Sequence, residues 1–399
     1  MFESLESLPP DPILGLNAAY KADTNPKKVD LGIGVYKDAE GNTPVMRAVK
    51  EAEKLILTSQ ATKAYVGPIG AIAYNEAVAE LILGTTQKTS LGRRRITMQT
   101  PGGCGGLRIA AEFIARANSE ATIWVSDPTW ANHKPLIGSS GLKFNSYPYY
   151  NYETHSVDFD SMIATLEDVP KGDVVLLHGC CHNPSGADLK ADQWRVVRDL
   201  ALKQNFTIFI DLAYQGMGDG LEKDVIGVRL LAESLPELIV VSSCSKNFGL
   251  YRERTGAVTL ICQNDQAARA ASTLLAAAAR ANYSMPPDHG AAIVQLIRED
   301  PTLNSMWQDE LEGIRNRINS LRVKFANRLI VLATQHDFSF IPKEKGMFSF
   351  LGVNKNQIQE LINEYAIYLV DSSRINIASI NDSNIDYVVE SIGKVISRT

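Results

Sequence analysis

The sequence has no run of like charge long enough to suggest a tail, and its balance is mildly acidic, with 40 Lys and Arg against 45 Asp and Glu and a formal net charge of -5. The basic residues are dispersed, so the electrostatic footprint of a nucleic-acid binder is missing. No apolar run approaches the length needed to cross a bilayer. The first residues, Met1 to Pro10, lack both the basic start and the apolar core of a signal peptide, and a cytoplasmic protein is expected. Cysteine is scarce: Cys104, Cys180, Cys181, Cys244 and Cys262 are an odd number in a long chain, which argues for reduced thiols and against a disulfide framework. Internal repeats, low-complexity segments and an evident linker are lacking as well. What remains is an ordinary globular composition, 45% hydrophobic and 21% charged. Its 399 residues suit one large domain with a smaller one, or two of similar size.

The chain opens with turn formers, Pro9-Pro10-Asp-Pro12 and Asn25-Pro26, before the apolar segment Val29 to Tyr36, where Gly32 and Gly34 could mark a bulge or a backbone approach to a ligand. A helical pattern covers Met46 to Leu57, followed by a loop that offers the hydroxyl of Tyr65. From Arg95 onward strand, loop and helix alternate. Ile96 to Pro101 leads through Gly102-Gly103-Cys104-Gly-Gly106 into an amphipathic helix, a start that is either a plain tight turn or a phosphate site built from amides and helix dipole. Its spacing is not G-x-G-x-x-G, so a dinucleotide fingerprint is not supported.

Further apolar runs end in polar residues. Ala121 to Ser126 runs into Asp127-Pro-Thr-Trp130-Ala-Asn-His133, where Trp130 is either a lid on the core or a stacking platform for a flat ligand. Asp173 to Leu177 ends in His178-Gly-Cys-Cys-His182-Asn183-Pro-Ser-Gly186. The His and Cys residues invite a metal reading, but side chains alternate along extended chain and adjacent cysteines are not expected to face one ion together, so no metal is expected. Phe206 to Ile210 delivers Asp211 and then Tyr214; the aspartate could cap a helix or sit against a cationic ring nitrogen. Leu238 to Val241 leads into Ser242-Ser-Cys-Ser-Lys246, with Arg254 close behind. Lys246 is a solvated loop lysine or a Schiff-base amine beside a phosphate cradle. Gly256 to Cys262 is one more strand. Open parallel sheets place ligands outside the carboxyl ends of their strands, so these groups converge if the sheet is parallel. Beyond them lie a helix ending at Arg280, a long helix with Trp307, Leu311, Ile314, Ile318, Leu321, Phe325 and Leu329 on one face, and strand candidates at Gly346 to Phe350 and around Arg374. Arg280 could cap its helix, and a buried Arg374 would need an anion, structural or a substrate carboxylate.

Read together, Ser243-x-Ser-Lys246-Asn-Phe-Gly-Leu-Tyr-x-Glu-Arg254-x-Gly256, His182-Asn183-Pro-Ser-Gly186, Asp211-x-Ala-Tyr214-Gln-Gly216 and Arg374 closely resemble the class I aminotransferases dependent on pyridoxal phosphate, the aspartate and aromatic amino acid group. The resemblance runs from Asp11 to Ala378 with the motifs in the family's order. It implies an α/β fold of the fold type I transferases, a mostly parallel seven-stranded sheet flanked by helices, and a smaller α/β domain made from both chain ends. The corresponding segments are residues 1–45 as arm and part of the small domain, 46–305 as the large cofactor domain, and 306–399 as the rest of the small domain. It also implies a homodimer with shared active sites that turns amino acids into 2-oxo acids; from charge and hydropathy, neither nucleic acid nor membrane is expected as partner.

On that resemblance, Lys246 would hold pyridoxal 5'-phosphate as an imine and then carry the proton as base and acid. Asp211 would keep the pyridine nitrogen protonated, Tyr214 and Asn183 would bond its phenolic oxygen, and Trp130 would stack on its face. Gly103, Cys104, Ser243, Ser245 and Arg254 would hold the phosphate, with Tyr65 reaching in from the partner subunit. Arg374 would clamp the substrate α-carboxylate, Arg280 of the partner would meet a distal carboxylate, and Gly34 would lie on a segment that closes over substrate. Cys104 and Ser185 stand where the family usually has Thr or Ser and Thr, Ser379 where Gly is usual, and Ala64 and Met285 at positions polar in typical aspartate enzymes. Less polar walls favour dual use of aromatic and dicarboxylic amino acids, with 2-oxoglutarate as acceptor, over strict aspartate use. Rival readings are a lyase or decarboxylase using the same cofactor, a non-catalytic cofactor-binding regulator, and a nicotinamide-dependent dehydrogenase; the arginines, the lack of a DNA-binding segment and the missing fingerprint disfavour them in turn.

Overall fold

The structure is a computed structural model that describes residues 2–7, 12–334 and 336–398. Pro9, Pro10 and Asp11, part of the turn-rich start, lie outside the described residues. The chain divides into two compact units, one of residues 44–183 and 187–316, the other of residues 1–43, 184–186 and 317–399.

The larger unit is built on seven strands: β1 (Arg95–Pro101), β2 (Thr122–Asp127), β3 (Lys143–Pro148), β4 (Val174–His178), β5 (Thr207–Leu212), β6 (Leu238–Ser243) and β7 (Thr255–Ile261). Their order across the sheet is β1-β7-β6-β5-β4-β2-β3. Only β7 runs antiparallel to its neighbours β1 and β6; the pairs β6 with β5, β5 with β4, β4 with β2 and β2 with β3 are parallel. The central strands read as unbroken apolar runs because both faces are buried. Phe209, Val241 and Val258 face one core, which also holds Leu107, Ile109 and Ile114, while Val175, Ile208, Ile210 and Val240, one register step away, are equally buried. Each such side chain contributes about 1.5–3 kcal/mol on burial. The exception is β3, an edge strand whose residues are mostly exposed, and its polar sequence Lys-Phe-Asn-Ser-Tyr-Pro carries no strand pattern for that reason.

Two helices bear on the site. Helix α1 (Gly102–Ala117) follows β1 without a side-chain cap, so its first turn presents amides that need an acceptor. Its close approach to the sheet requires glycine at 106, where a Cβ would lie 2.7 Å from a methyl of Val241. Helix α2 (Asp265–Asn282) is capped by Asn264, whose side chain accepts from the Ala267 amide, and it carries Arg280 in its last turn.

The smaller unit joins the two ends of the chain. Val29–Asp30 pairs in parallel with Ile367–Tyr368, and Phe348–Phe350 pairs antiparallel with Arg374–Asn376. Asn376 locks the N-terminal segment in place, donating from its side chain to the carbonyls of Ile33 and Val35 at 2.7 and 2.8 Å. Arg322 is fully buried, and its two terminal nitrogens are held by the carbonyls of Ile341 and Gly346, the Ser349 hydroxyl and an ion pair with Glu344 at 3.5 Å. Within the apolar segment Val29 to Tyr36 the strand is only two residues long; past it, carbonyls 32, 33 and 35 are taken by the side chains of Arg374 and Asn376 rather than by a ladder. Among the described residues no helix is long and apolar enough to cross a membrane.

Candidate functional site

The parallel strands β2, β4, β5 and β6 point their carboxyl ends the same way, and the polar residues that follow them gather there. Asp211 lies near the end of β5, buried, with Oδ2 3.0 Å from Nε2 of His133. The other ring nitrogen of His133, Nδ1, is 2.8 Å from the Thr129 hydroxyl. This geometry fits an imidazole that donates to Asp211 and accepts from Thr129. Burial by itself raises the Asp211 carboxyl, but the His133 hydrogen bond and the charges of His133, His178 and Lys246 outweigh it and hold the group below the usual carboxylate range.

Lys246 follows β6, with Nζ 4.7 Å from the centre of the Tyr214 ring. Desolvation lowers its pKa, an effect opposed by Asp211 and Cys104 and reinforced by Arg254. A lysine so placed gives up its proton more readily than one in water, as a nucleophilic or proton-carrying amine requires. Tyr214 is buried, and its hydroxyl accepts from Nδ2 of Asn183 at 3.5 Å. Trp130 is partly buried and meets the His133 ring edge-on at 5.3 Å.

Next to these groups the start of α1, the end of β6 and the start of β7 form a cationic cradle. A Cβ at Gly102 would lie 2.5 Å from the Arg254 guanidinium, and one at Gly103 would lie 3.2 Å from Cβ of Ser243. Arg254 donates to the Ser245 hydroxyl at 3.4 Å and to the Tyr251 carbonyl at 3.1 Å, and the Ser245 amide donates to the Ser243 hydroxyl at 3.2 Å. Among the described residues no carboxylate pairs with Arg254. A guanidinium without a counter-ion, facing an uncapped helix start, is an anion site. Cys104, in the first turn of α1, is half-buried.

Tyr65 is 88% exposed. Arg280 is exposed and donates to the Ser284 hydroxyl at 2.6 Å. Arg374 and Gly34 belong to the smaller unit: Arg374 is buried, donates to the Gly32 carbonyl at 2.7 Å and lies 4.3 Å from the centre of the Phe348 ring, which a Cβ at Gly34 would meet at 3.6 Å.

The residues 26–392 match the family described as aminotransferase class I and II. The chain belongs to the class I and II aminotransferases. It is 44% identical to the aspartate aminotransferase of Escherichia coli K12 over 396 residues, 99% of this chain and 100% of that one. It is 45% identical to the aromatic-amino-acid aminotransferase of Pseudomonas aeruginosa over 394 residues, 99% and 98% of the two chains. The crystal structure of the aromatic-amino-acid aminotransferase of Burkholderia pseudomallei, covalently bound to pyridoxal phosphate, superposes with a TM-score of 0.97 at 40% identity, covering 99% of each chain. The fold is that of the fold type I transferases.

The residues of this aminotransferase suit a phosphorylated pyridine aldehyde. The uncompensated Arg254 beside the Gly102–Gly103 helix start offers an anion site, Asp211 a carboxylate held ionised, and Lys246 a desolvated amine. Among the described residues neither ring nitrogen of His178, both buried, has a hydrogen-bond partner. Sequence reasoning missed His133 and His178. The motif text contains both, but only the fold brings His133 within a hydrogen bond of Asp211, 78 residues on. The Cys180–Cys181 pair also departs from expectation. Its two sulfurs and a carboxylate oxygen of Asp224 lie within 4.8 Å of one another, because Cys181 adopts φ 51° and the chain turns where alternation assumes it stays extended.

Proposed function

We propose that this aminotransferase uses pyridoxal 5'-phosphate to move the amino group of an aromatic or dicarboxylic amino acid to 2-oxoglutarate in two half-reactions. The observation that carries the reading is the meeting of a desolvated lysine, a carboxylate held ionised by a histidine, and an arginine without a counter-ion around one set of strand ends. When bound, the cofactor supplies an aldehyde for the amine and an electron sink that acidifies the substrate Cα proton. Lys246 would hold that aldehyde and, when free, would serve as the base that takes the proton from the substrate Cα and as the acid that gives it up again. Asp211, oriented by His133, keeps a proton on the ring nitrogen, and Asn183 and Tyr214 orient the phenolic oxygen. Gly103, Cys104, Ser243, Ser245 and Arg254 would bind the phosphate and so would anchor the cofactor independently of Lys246. Trp130 covers the ring face.

Arg374 binds the substrate α-carboxylate, and Gly34 lies on a segment that closes over it. In the homodimer this reading requires, Tyr65 and Arg280 act in the partner's site; their exposure in a single chain supports that role. Ala64 and Met285 make the substrate walls less polar, which favours dual aromatic and dicarboxylic use, in keeping with the two kinds of relative. Purified enzyme assayed with aspartate, tyrosine and phenylalanine against 2-oxoglutarate tests it. Turnover of all three is expected, and negligible aromatic turnover would establish strict aspartate use instead.

A further inference from the structure

Beyond β4 the chain makes a second polar knot that the transfer reaction does not use. The Gly179 amide still pairs with the Asp211 carbonyl at 2.8 Å, after which Cys181 turns the chain at φ 51° and the amides of Cys181 and His182 donate to Asp188 at 2.7 and 2.8 Å. This turn brings the sulfurs of Cys180 and Cys181 to the carboxylate of Asp224, all within 4.8 Å and all buried. Asp224 is itself held by three amides: Gly216 at 2.8 Å and Gly218 at 3.0 Å on Oδ2, and Asp219 at 2.7 Å on Oδ1. Oδ1 thus keeps an acceptor lone pair. The space beside it is open because residue 218 is glycine; a Cβ there would lie 2.8 Å from Oδ1 of Asp224 and 3.1 Å from Sγ of Cys181. Among the described residues neither Asp188 nor Asp224 has an ion pair, so two carboxylates share this turn without a cation.

Two sulfurs bound tetrahedrally to one zinc-sized ion lie about 3.8 Å apart, given metal–sulfur bonds of about 2.3 Å. The observed spread accommodates that, and sulfur selects soft or borderline metals over calcium or magnesium. We propose that Cys180, Cys181 and Asp224 form a binding site for a thiophilic divalent cation, Zn2+ or Cd2+, tying the turn before Asn183 to the loop before helix Ile226–Ser234. Binding releases one proton from each thiol with no change of oxidation state, and leaves one position of a tetrahedral ion for water. Affinity therefore rises with pH as the thiols are more easily deprotonated.

The test is titration of the holoenzyme with Cd2+, read by the sulfur-to-cadmium charge-transfer absorption in the ultraviolet. Saturation at one ion per chain, competed by Zn2+, is expected. Cys181→Ser should halve the band or more, Gly218→Ala should weaken binding at least tenfold while leaving both thiols in place, and Cys262→Ser should change nothing. X-ray absorption of the zinc-loaded wild-type protein gives a readout that needs no variant, with two sulfur neighbours at about 2.3 Å expected. A wild-type protein without a saturable band, a band that Cys181→Ser and Gly218→Ala leave unchanged, or a zinc ion without sulfur neighbours would overturn the proposal.

Discussion

Acid should destabilise this protein through His178. Burial, reinforced by the neighbouring His133 and only partly offset by Asp211, pushes the His178 imidazole down from 6.5 to about 3. Its rings of contact are other histidines, His133 at 5.2 Å and His182 at 4.2 Å between centroids. Between pH 6.5 and pH 3 the unfolded chain binds a proton at this position that the native chain refuses, so stability falls as pH falls through that window and is flat above it. At about 1.4 kcal/mol per pH unit, the loss between pH 7.5 and pH 5 is about 2 kcal/mol from this one side chain. That is a sizeable part of the roughly 5–15 kcal/mol available to a folded domain. The assay is urea unfolding followed by tryptophan fluorescence at pH steps from 7.5 to 5, in wild type and in His178→Leu, a change of similar volume that cannot titrate. His182, whose pKa is lowered chiefly by burial, remains in both proteins. Wild type should lose about 2 kcal/mol more than the variant over this range. Parallel curves would refute the assignment of a neutral, buried His178.

Two more predictions concern the site and its frame. His133→Asn removes the donor to Asp211, so the carboxyl rises toward the ordinary range, the acid limb of kcat/KM moves to higher pH, and kcat falls by about 10- to 100-fold, the value of a hydrogen bond to a charged group; an unshifted pH profile would show that His133 does not orient Asp211. Gly256→Ala places a Cβ 2.5 Å from the Gly102 carbonyl carbon and 2.7 Å from the Ser242 oxygen, backbone on both sides that cannot swing away. It should cost about 1–3 kcal/mol and lower the melting temperature measurably, whereas an unchanged melting curve would mean that helix α1 and strand β7 are not packed that closely.

Much of the site was legible because parallel sheets concentrate chemistry at strand ends. Lys246, Asp211 and Asn183 each follow an apolar run, and the sheet delivers them to the same end. The edge strand β3 was not legible, since a strand exposed on most of its length needs no apolar pattern. Nor was the antiparallel course of β7: its residues, buried throughout, read the same in either direction. The meeting of the Cys180 and Cys181 sulfurs was not legible for a local reason, because alternation holds only while the chain stays extended and Cys181 does not.

By itself, then, the sequence determined which residues could carry the chemistry and the order in which strands would present them, because apolar runs and the polar residues that end them are local facts of the chain. Partnership was decided by tertiary structure. The hold of His133 on Asp211, the depressed lysine, the arginine without a counter-ion and the meeting of two adjacent thiols with Asp224 all depend on distance and burial between groups far apart in the chain. Those quantities set proton affinities and ion sites, and they exist only once the chain has folded.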